Sequence, residues 1–141
     1  VAGAIAEVLS RSGVDPRGKS AVVVGSGRLV GAPAAKLLRG LGADVSVITQ
    51  THGSLSELAG ADIVVLGAGE PGLIKPAMLK QGVILIDAGT SEQGGKLAGD
   101  ADPSCAEVCS VFTPVPGGIG PIAVAMIFKN LFTLVKKNSG Q

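Results

Sequence analysis

Glycine-rich loops are the segments of this sequence best suited to chemistry, because they admit a ligand close to the backbone. Residues 25–31 read Gly-Ser-Gly-Arg-Leu-Val-Gly, a G-x-G-x-x-x-G spacing that is one residue longer than the common dinucleotide-binding fingerprint. Its glycines would let a pyrophosphate approach, and a helix beginning there would offer free N–H groups and a partial positive charge. The same spacing also suits a tight strand-to-helix turn that binds nothing.

The end of the second apolar run is Thr49, Gln50, Thr51 and His52, and nucleotide-binding sheets select their cofactor at this point. An acidic residue there holds the ribose of NAD, whereas basic residues accept the additional phosphate of NADP. This stretch has neither an acid nor a lysine or arginine. Arg28 could reach that phosphate from the first loop, or it could be a solvated surface arginine. His52 is more typical of a surface loop than of a phosphate ligand.

Nucleophilic and metal-binding chemistry has little support in the residue types. The sequence has no tyrosine, one histidine and two cysteines, and it shows no Ser/His/Asp arrangement of the kind hydrolases use. Cys105 and Cys109 are too few for a disulfide framework, and their spacing predicts two small, semi-buried side chains on one helix face. Asp87, Asp100 and Asp102 have no second group to pair with as acid and base. Asp87 is predicted to bind backbone N–H groups.

The elements that must position these loops alternate along the chain. Short runs rich in Val and Ile are typical of strands buried on both faces, and helical segments separate them. This alternation predicts a doubly wound α/β domain with a mostly parallel, Rossmann-like sheet, whose ligands bind at the carboxyl ends of the strands. The predicted strands are residues 20–25, 45–49, 63–66, 83–87 and 111–112; the predicted helices are 1–10, 30–41, 54–58, 75–80, 104–109 and 122–137; residues 92–96 are predicted as a polar turn.

Composition narrows the class of protein further. The 141 residues carry a net charge of +1, three aromatic residues and only 16% charged residues, with a mean hydropathy of +0.49. This balance argues against a nucleic-acid or membrane-surface partner and indicates a surface partly covered by another domain or subunit. The uncharged run 108–128 contains too many prolines and glycines to span a membrane. Without a signal peptide, we expect a cytoplasmic protein, or an organelle protein whose targeting segment was removed.

Residues 113–121, Thr-Pro-Val-Pro-Gly-Gly-Ile-Gly-Pro, carry a family resemblance together with Gly18-Lys19, Ile86-Asp87-x-Gly89 and Gly99-Asp100-x-Asp102. The sequence resembles the NAD(P)-binding domain of bifunctional methylenetetrahydrofolate dehydrogenase/methenyltetrahydrofolate cyclohydrolase, an oxidoreductase and hydrolase of one-carbon metabolism. The resemblance implies that residues 1–141 form one NAD(P)-binding domain, with 1–12 as a connecting helix. The family's N-terminal domain, which supplies its active-site tyrosine and lysine, would be absent.

The resemblance further implies NADP or NAD as the cofactor, folate only in a cleft shared with that N-terminal domain, and a possible homodimer. It implies no catalytic residue and no metal in this chain, which alone would be inactive. The positions implied to bind cofactor lie in the glycine-rich strand ends and the first helix: Gly25, Ser26, Gly27, Arg28, Val30, Pro33, Thr49, Gln50, Gly67, Gly69, Pro71, Gly89, Thr90, Gly117 and Gly118.

Several positions depart from the family's usual sequence, among them Ala123, where the family commonly has a threonine, and three short stretches. Gly25-Ser26-Gly27 replaces Gly-Arg-Ser, Ile48-Thr49-Gln50 replaces Cys-His-Ser, and Gly89-Thr90-Ser91 replaces Gly-Ile-Asn. The arginine and serine that would bind the phosphate of NADP are therefore missing from their usual places. NADP, NAD and a degenerate site all remain open, and the alternative function is a non-catalytic Rossmann-like domain that serves packing or dimerisation.

Overall fold

The computed structural model describes residues 2–28 and 30–115. Two α-helices, three 3-10 helices and seven strands lie within these ranges. Pro33 stands in the first turn of the second helix, as predicted, where its missing N–H costs no intrahelical bond. In chain order the elements are α1 (Ala2–Arg11), β1 (Ser20–Val24), α2 (Gly31–Gly40), β2 (Asp44–Ile48), the 3-10 helix Leu55–Gly60, β3 (Ile63–Leu66), the 3-10 helix Pro76–Met78, β4 (Val83–Asp87), β5 (Ser91–Gln93), β6 (Lys96–Ala98), the 3-10 helix Pro103–Glu107 and β7 (Cys109–Thr113).

The five long strands of the described residues form one parallel sheet in the order β2-β1-β3-β4-β7. β1 lies in register with both neighbours, so Val24 is level with Ile48 on β2 and with Leu66 on β3. The chain moves outward in one direction from β1 to β2 and in the other from β1 to β3. This reversal makes the carboxyl end of β1 a topological switch point, where doubly wound sheets form a crevice. The predicted Rossmann-like fold is confirmed.

Apolar side chains alternate between the two faces of the sheet. On one face, Val23 and Ile86 are buried with Leu38 of α2, and α1 packs its apolar side there as well. On the other face, Leu85 packs with Leu58 and its neighbours from the 3-10 helices. Both faces are therefore covered, which explains why the strands are apolar throughout and rich in β-branched residues.

The structure corrects three sequence predictions. Residues 92–96 are the centre of an antiparallel hairpin, β5–β6, and not only a turn. Its turn residues Gly94 and Gly95 both have positive φ, the geometry of a tight hairpin. The short helices predicted after β2, before β4 and before β7 are 3-10 helices. Cys105 and Cys109 do not share a helix face, because Cys109 begins β7. Cys109 is partly buried, as predicted, whereas Cys105 is fully buried.

Gly117, Gly118 and the predicted helix 122–137 lie outside the described residues. Within the described ranges, no helix has the length and apolar character needed to cross a membrane.

Candidate functional site

A cleft of about 600 Å³ opens at the carboxyl ends of β1, β2 and β3. Its walls are the three loops that leave these strands, together with Leu55 of the 3-10 helix after β2. Six residues predicted from sequence line it, namely Gly25, Ser26, Gly27, Thr49, Gln50 and Gly67. The cleft therefore lies at the switch point and gathers the first, second and third strand ends, as the sequence predicts.

Two glycines of the first loop are required by the packing of the protein itself. Gly25 has a φ of +101°, and a Cβ there would lie 2.6 Å from the carbonyl oxygen of Gly67. A Cβ at Gly31 would overlap the carbonyl oxygen of Gly25. Both positions need glycine because β1, β3 and α2 approach one another so closely. These two glycines alone would be consistent with a tight turn that binds nothing.

Gly27 is different. A Cβ at this position would meet no described atom within 4 Å, and the backbone there does not have a positive φ. Neither packing against the described residues nor the backbone conformation therefore requires glycine at residue 27. The position faces the cleft, so a group that approaches this backbone from solvent would account for its small size.

The beginning of α2 carries no side-chain cap. Val30 occupies the N-cap position and makes no capping hydrogen bond, while Ala32 N–H bonds to the carbonyl oxygen of Gly27. The first turn contains no acidic residue. No acidic side chain of α2 therefore neutralises the positive end of the helix dipole, which lies next to the cleft.

The β2 end contributes hydroxyl and amide groups to the cleft. Thr49 and Thr51 lie with their Oγ1 atoms 3.4 Å apart, and Gln50 lines the same wall. Arg28 is exposed and does not line the cleft. His52 is exposed, and its carbonyl oxygen accepts a hydrogen bond from Thr49 N–H, so it closes the turn as a surface loop residue would.

The third wall is the β3 loop, residues 67–73. Its N–H groups at Ala68, Gly69 and Glu70 are bound by the carboxylate of Asp100. The exposed side chain of Glu70 lines the cleft and is its acidic group among the described residues. Seven lining residues were not predicted as site residues, namely Val24, Ile48, Thr51, Leu55, Ala68, Glu70 and Leu73. Position in a strand-end loop was the signal available for Thr51, Ala68 and Glu70.

Asp87 binds backbone, as predicted. Its Oδ1 accepts hydrogen bonds from Gly89 N–H and Asp100 N–H, and its Oδ2 accepts one from Ala101 N–H. Burial raises the pKa of Asp87, although these three N–H groups act in the opposite direction and the nearby charge of Asp100 adds to the rise. The carboxyl is therefore a structural group that organises the end of β4.

The other predicted cofactor residues within the described ranges lie outside the cleft lining, and their roles stay predictions. Val30 packs against Gly67, where a Cβ would meet its side chain at 2.6 Å. Gly89 is buried, and a Cβ there would overlap the carboxylate of Asp100. Packing thus gives Gly89 a structural reason to be glycine. The remaining positions in this group are Pro33, Gly69, Pro71 and Thr90.

The thiols and acids of the described residues form no reactive centre of their own. Burial raises the pKa of Cys105, and it raises the pKa of Cys109 to about 11 with help from the neighbouring thiol. Both side chains are then thiols and not thiolates near neutral pH. No group of three His, Cys, Asp or Glu among the described residues is arranged to hold a metal ion.

Comparison with known proteins places the chain next to one family. The model of the tetrahydrofolate dehydrogenase/cyclohydrolase NAD(P)-binding domain matches residues 1–139. The bifunctional protein FolD of Caldanaerobacter subterraneus subsp. tengcongensis is 44% identical over 138 residues, which is 94% of this chain and 48% of that protein. The chain therefore spans about half the length of the curated relatives it matches.

Solved structures agree with this match. The bifunctional FolD of Campylobacter jejuni superposes with a TM-score of 0.93 at 35% identity, covering 97% of this chain and 50% of that one. The FolD of Trypanosoma brucei, solved with NADP cofactor and an inhibitor, superposes with a TM-score of 0.91 at 37% identity, covering 98% and 50%.

Proposed function

The chain belongs to the tetrahydrofolate dehydrogenase/cyclohydrolase family as its NAD(P)-binding domain, and from this premise we propose that it is the cofactor half of a bifunctional enzyme of one-carbon metabolism. The whole enzyme would move a hydride from 5,10-methylenetetrahydrofolate to NAD(P)⁺ and then hydrolyse the methenyl product. In this proposal residues 1–141 are one cofactor-binding domain, with residues 1–12 as the connecting helix to a separate catalytic domain.

Gly27 is the observation that supports this proposal most directly. A dinucleotide needs a place where its pyrophosphate can reach backbone N–H groups at the beginning of a helix. The loop offers an open Cβ position at residue 27, an uncapped α2 and a cleft at the switch point. The residues present therefore fit the cofactor that the family binds.

The order of the strands suggests how the cofactor would lie. β2 and β4 stand on opposite sides of the β1–β3 pair. We place the pyrophosphate over residues 25–31, the adenosine toward residues 49–52, and the nicotinamide toward Gly89 and Thr90 with Gly117 and Gly118. The whole dinucleotide would then run along the carboxyl edge of the sheet, and Pro33, Gly69 and Pro71 would support its path.

The chain's own residues would bind and orient the cofactor and carry no proton chemistry. When bound, the nicotinamide supplies the hydride acceptor. The N–H groups of the first loop and of α2 would hold the pyrophosphate charge. Thr49, Thr51 and Gln50 offer neutral hydrogen-bonding groups to the adenosine end. Leu55 and Leu73 would give the base an apolar surface.

Folate, a second subunit and location belong to the same proposal. Folate would bind only in the cleft shared with the catalytic domain, a homodimer would cover part of the weakly charged surface, and the enzyme would work in the cytoplasm. The comparisons give no support to the alternative of a non-catalytic packing or dimerisation domain, and cofactor titration separates the two.

The test is calorimetric titration of the chain with NAD and NADP, repeated on Gly27→Val. The wild type should bind at least one of the two nucleotides. Gly27→Val should lose that binding, because a branched side chain would fill the space that the pyrophosphate needs. The same substitution should leave the fold intact, because a Cβ at residue 27 meets no described atom.

Gly40→Val is the matched control. Gly40 ends α2 on the exposed side, and a Cβ there also meets nothing within 4 Å of the described residues. This variant should bind like the wild type. Unchanged affinity in a folded Gly27→Val would place the pyrophosphate elsewhere, and a wild type that binds neither nucleotide would favour the non-catalytic alternative.

A further inference from the structure

The β3 loop of the cleft is held in place by one carboxylate. Asp100 Oδ2 accepts hydrogen bonds from Ala68 N–H at 2.7 Å and from Gly69 N–H at 3.3 Å, and its Oδ1 accepts one from Glu70 N–H at 2.9 Å. Ala68 and Glu70 line the cleft. Asp100 thus fixes three successive residues of a loop that belongs to no helix or strand.

Because Asp100 is buried, its carboxylate and the conformation of the β3 loop depend on each other. Its side chain is 0% exposed, and the ion pairs among the described residues do not include it. Burying a carboxylate without a neighbouring cation costs free energy unless hydrogen bonds from the protein replace those from water. The N–H groups of the β3 loop provide that replacement. The charge therefore requires this loop conformation, and the loop conformation requires the charge.

Asp87 holds Asp100 in turn. Its Oδ1 accepts a hydrogen bond from Asp100 N–H at 3.2 Å and its Oδ2 accepts one from Ala101 N–H at 2.9 Å. Gly89 leaves room for the Asp100 carboxylate, which a Cβ at that residue would overlap. The position of Asp100 is therefore set by the end of β4, which lies next to β3 in the sheet.

Ser91 supports the loop from its other side. The hydroxyl of Ser91 donates a hydrogen bond to the carbonyl oxygen of Gly69 at 2.9 Å. Ser91 begins the β5–β6 hairpin, and Asp100 follows its end. The N–H side and the C=O side of the β3 loop are thus bound by the two ends of one hairpin.

Resting on the proposed cofactor function, we propose that Asp100 is a positioning residue for dinucleotide binding, with Ser91 as a second support. Neither side chain lines the cleft. Each acts through the backbone of residues 68–70, whose position decides the width of the cleft opposite the β1 and β2 loops. Loosening this wall would weaken cofactor binding without removing any group that contacts the cofactor.

Asp100→Asn tests the proposal, because a single amide oxygen cannot accept all three N–H groups. We expect the Kd for the bound nucleotide to rise about tenfold or more, and hydrogen exchange of the amides of residues 68–70 to become faster. Affinity is measured by calorimetry under conditions where urea titration shows the variant to be folded. A purely structural role would lower the free energy of unfolding and leave Kd unchanged.

Asp102→Asn is the matched control. Asp102 also binds a backbone N–H, but its partners are Ser104 and Lys75, which do not line the cleft. It should retain the wild-type Kd and the wild-type exchange at residues 68–70. A rise in Kd equal to that of Asp100→Asn would contradict the assignment, because it would show a general effect of removing acidic charge.

If Asp100→Asn does not fold, Ser91→Ala tests the proposed positioning role instead. It removes only the bond to Gly69, and we expect Kd to rise about threefold with the thermal midpoint little changed. If Asp100→Asn folds and binds with unchanged Kd, the inference is wrong while the proposed function still holds. If Asp100→Asn does not fold, an unchanged Kd of Ser91→Ala has the same meaning. A wild type that binds neither nucleotide overturns the proposed function and this inference with it.

Discussion

Cofactor choice depends on single side chains at the rim of the cleft. Ser26 and Gln50 line the cleft where the family usually carries an arginine and a serine, while Arg28 is exposed and outside the lining. A charge-assisted hydrogen bond contributes about 1.5–3 kcal/mol, so each lost phosphate ligand lowers affinity about tenfold or more. We therefore expect NADP to be favoured over NAD by no more than about tenfold.

Calorimetry with both nucleotides on the wild type and on Arg28→Ala checks this expectation. Arg28→Ala should change the ratio of the two affinities little. A strong preference of the wild type for NADP that disappears in Arg28→Ala would show that Arg28 has replaced the missing ligands.

The candidate site could be predicted from sequence only where its residues form continuous loops. Gly25, Gly27 and Thr49 were found because each follows an apolar run within the same short stretch. The role of Asp100 could not be found, because its partners Ala68 to Glu70 lie 30–32 residues earlier in the chain. Such a contact depends on which strands become neighbours, and residue types alone do not encode that order.

At the scale of elements, packing requires glycine at residues 25 and 31 of the first loop, whereas the role proposed for Gly27 is to leave space for the cofactor. Gly31→Ala would drive a methyl group into the carbonyl oxygen of Gly25, so α2 must move away from β1. We expect it to lower the free energy of unfolding by about 1–3 kcal/mol. Gly27→Ala meets no described atom and should change it by less than about 0.5 kcal/mol. Urea denaturation of both variants measures the difference, and equal effects would refute the distinction.

The strands of the sheet were predictable and the hairpin was not, for one physical reason. β3 and β4 are buried on both faces and read as uninterrupted apolar runs. β5 and β6 are three residues each and largely exposed, so their composition is that of a turn. Gly94-Gly95 was the available signal, because paired glycines are typical of tight hairpins.

For the molecule as a whole, Asp102 and Asp87 contribute to stability with opposite dependence on pH. Hydrogen bonds from the Ser104 hydroxyl and N–H, then from Lys75, hold the pKa of Asp102 at about 2 instead of 3.8. Its contribution is therefore present above pH 3.8 and is lost as the pH falls toward 2. Burial raises the pKa of Asp87, so its contribution is present at low pH and is lost as the pH rises through that raised value.

Asp102→Asn tests this sign, since asparagine can still cap the 3-10 helix Pro103–Glu107. The wild type should have the higher thermal midpoint at pH 6. The gap should close as the pH falls from 3.8 to about 2. Circular dichroism melts across that range measure it, and a gap independent of pH would rule out the ionised carboxylate as its source.

The purified chain alone should show neither dehydrogenase nor cyclohydrolase activity. It contains no tyrosine, and the family resemblance implies that the active-site tyrosine and lysine belong to a separate domain. The chain should nevertheless bind nucleotide, as a thermal shift with NAD or NADP would report. Folate-dependent reduction of either nucleotide, assayed beside a complete family enzyme, would contradict this expectation.

The position of β1 has a consequence for synthesis of the chain. β1 precedes both of its neighbours, since Ser20 pairs with Asp44 and Ala21 pairs with Ile63. A ribosome therefore releases the Val22-Val23-Val24 segment well before either partner strand exists. Such apolar, uncharged segments aggregate readily while their backbone groups are unpaired. Chains truncated before Leu66 should need a chaperone to stay in solution, because β1 then lacks one of its two partners, and the complete sheet can form only after β7 has emerged.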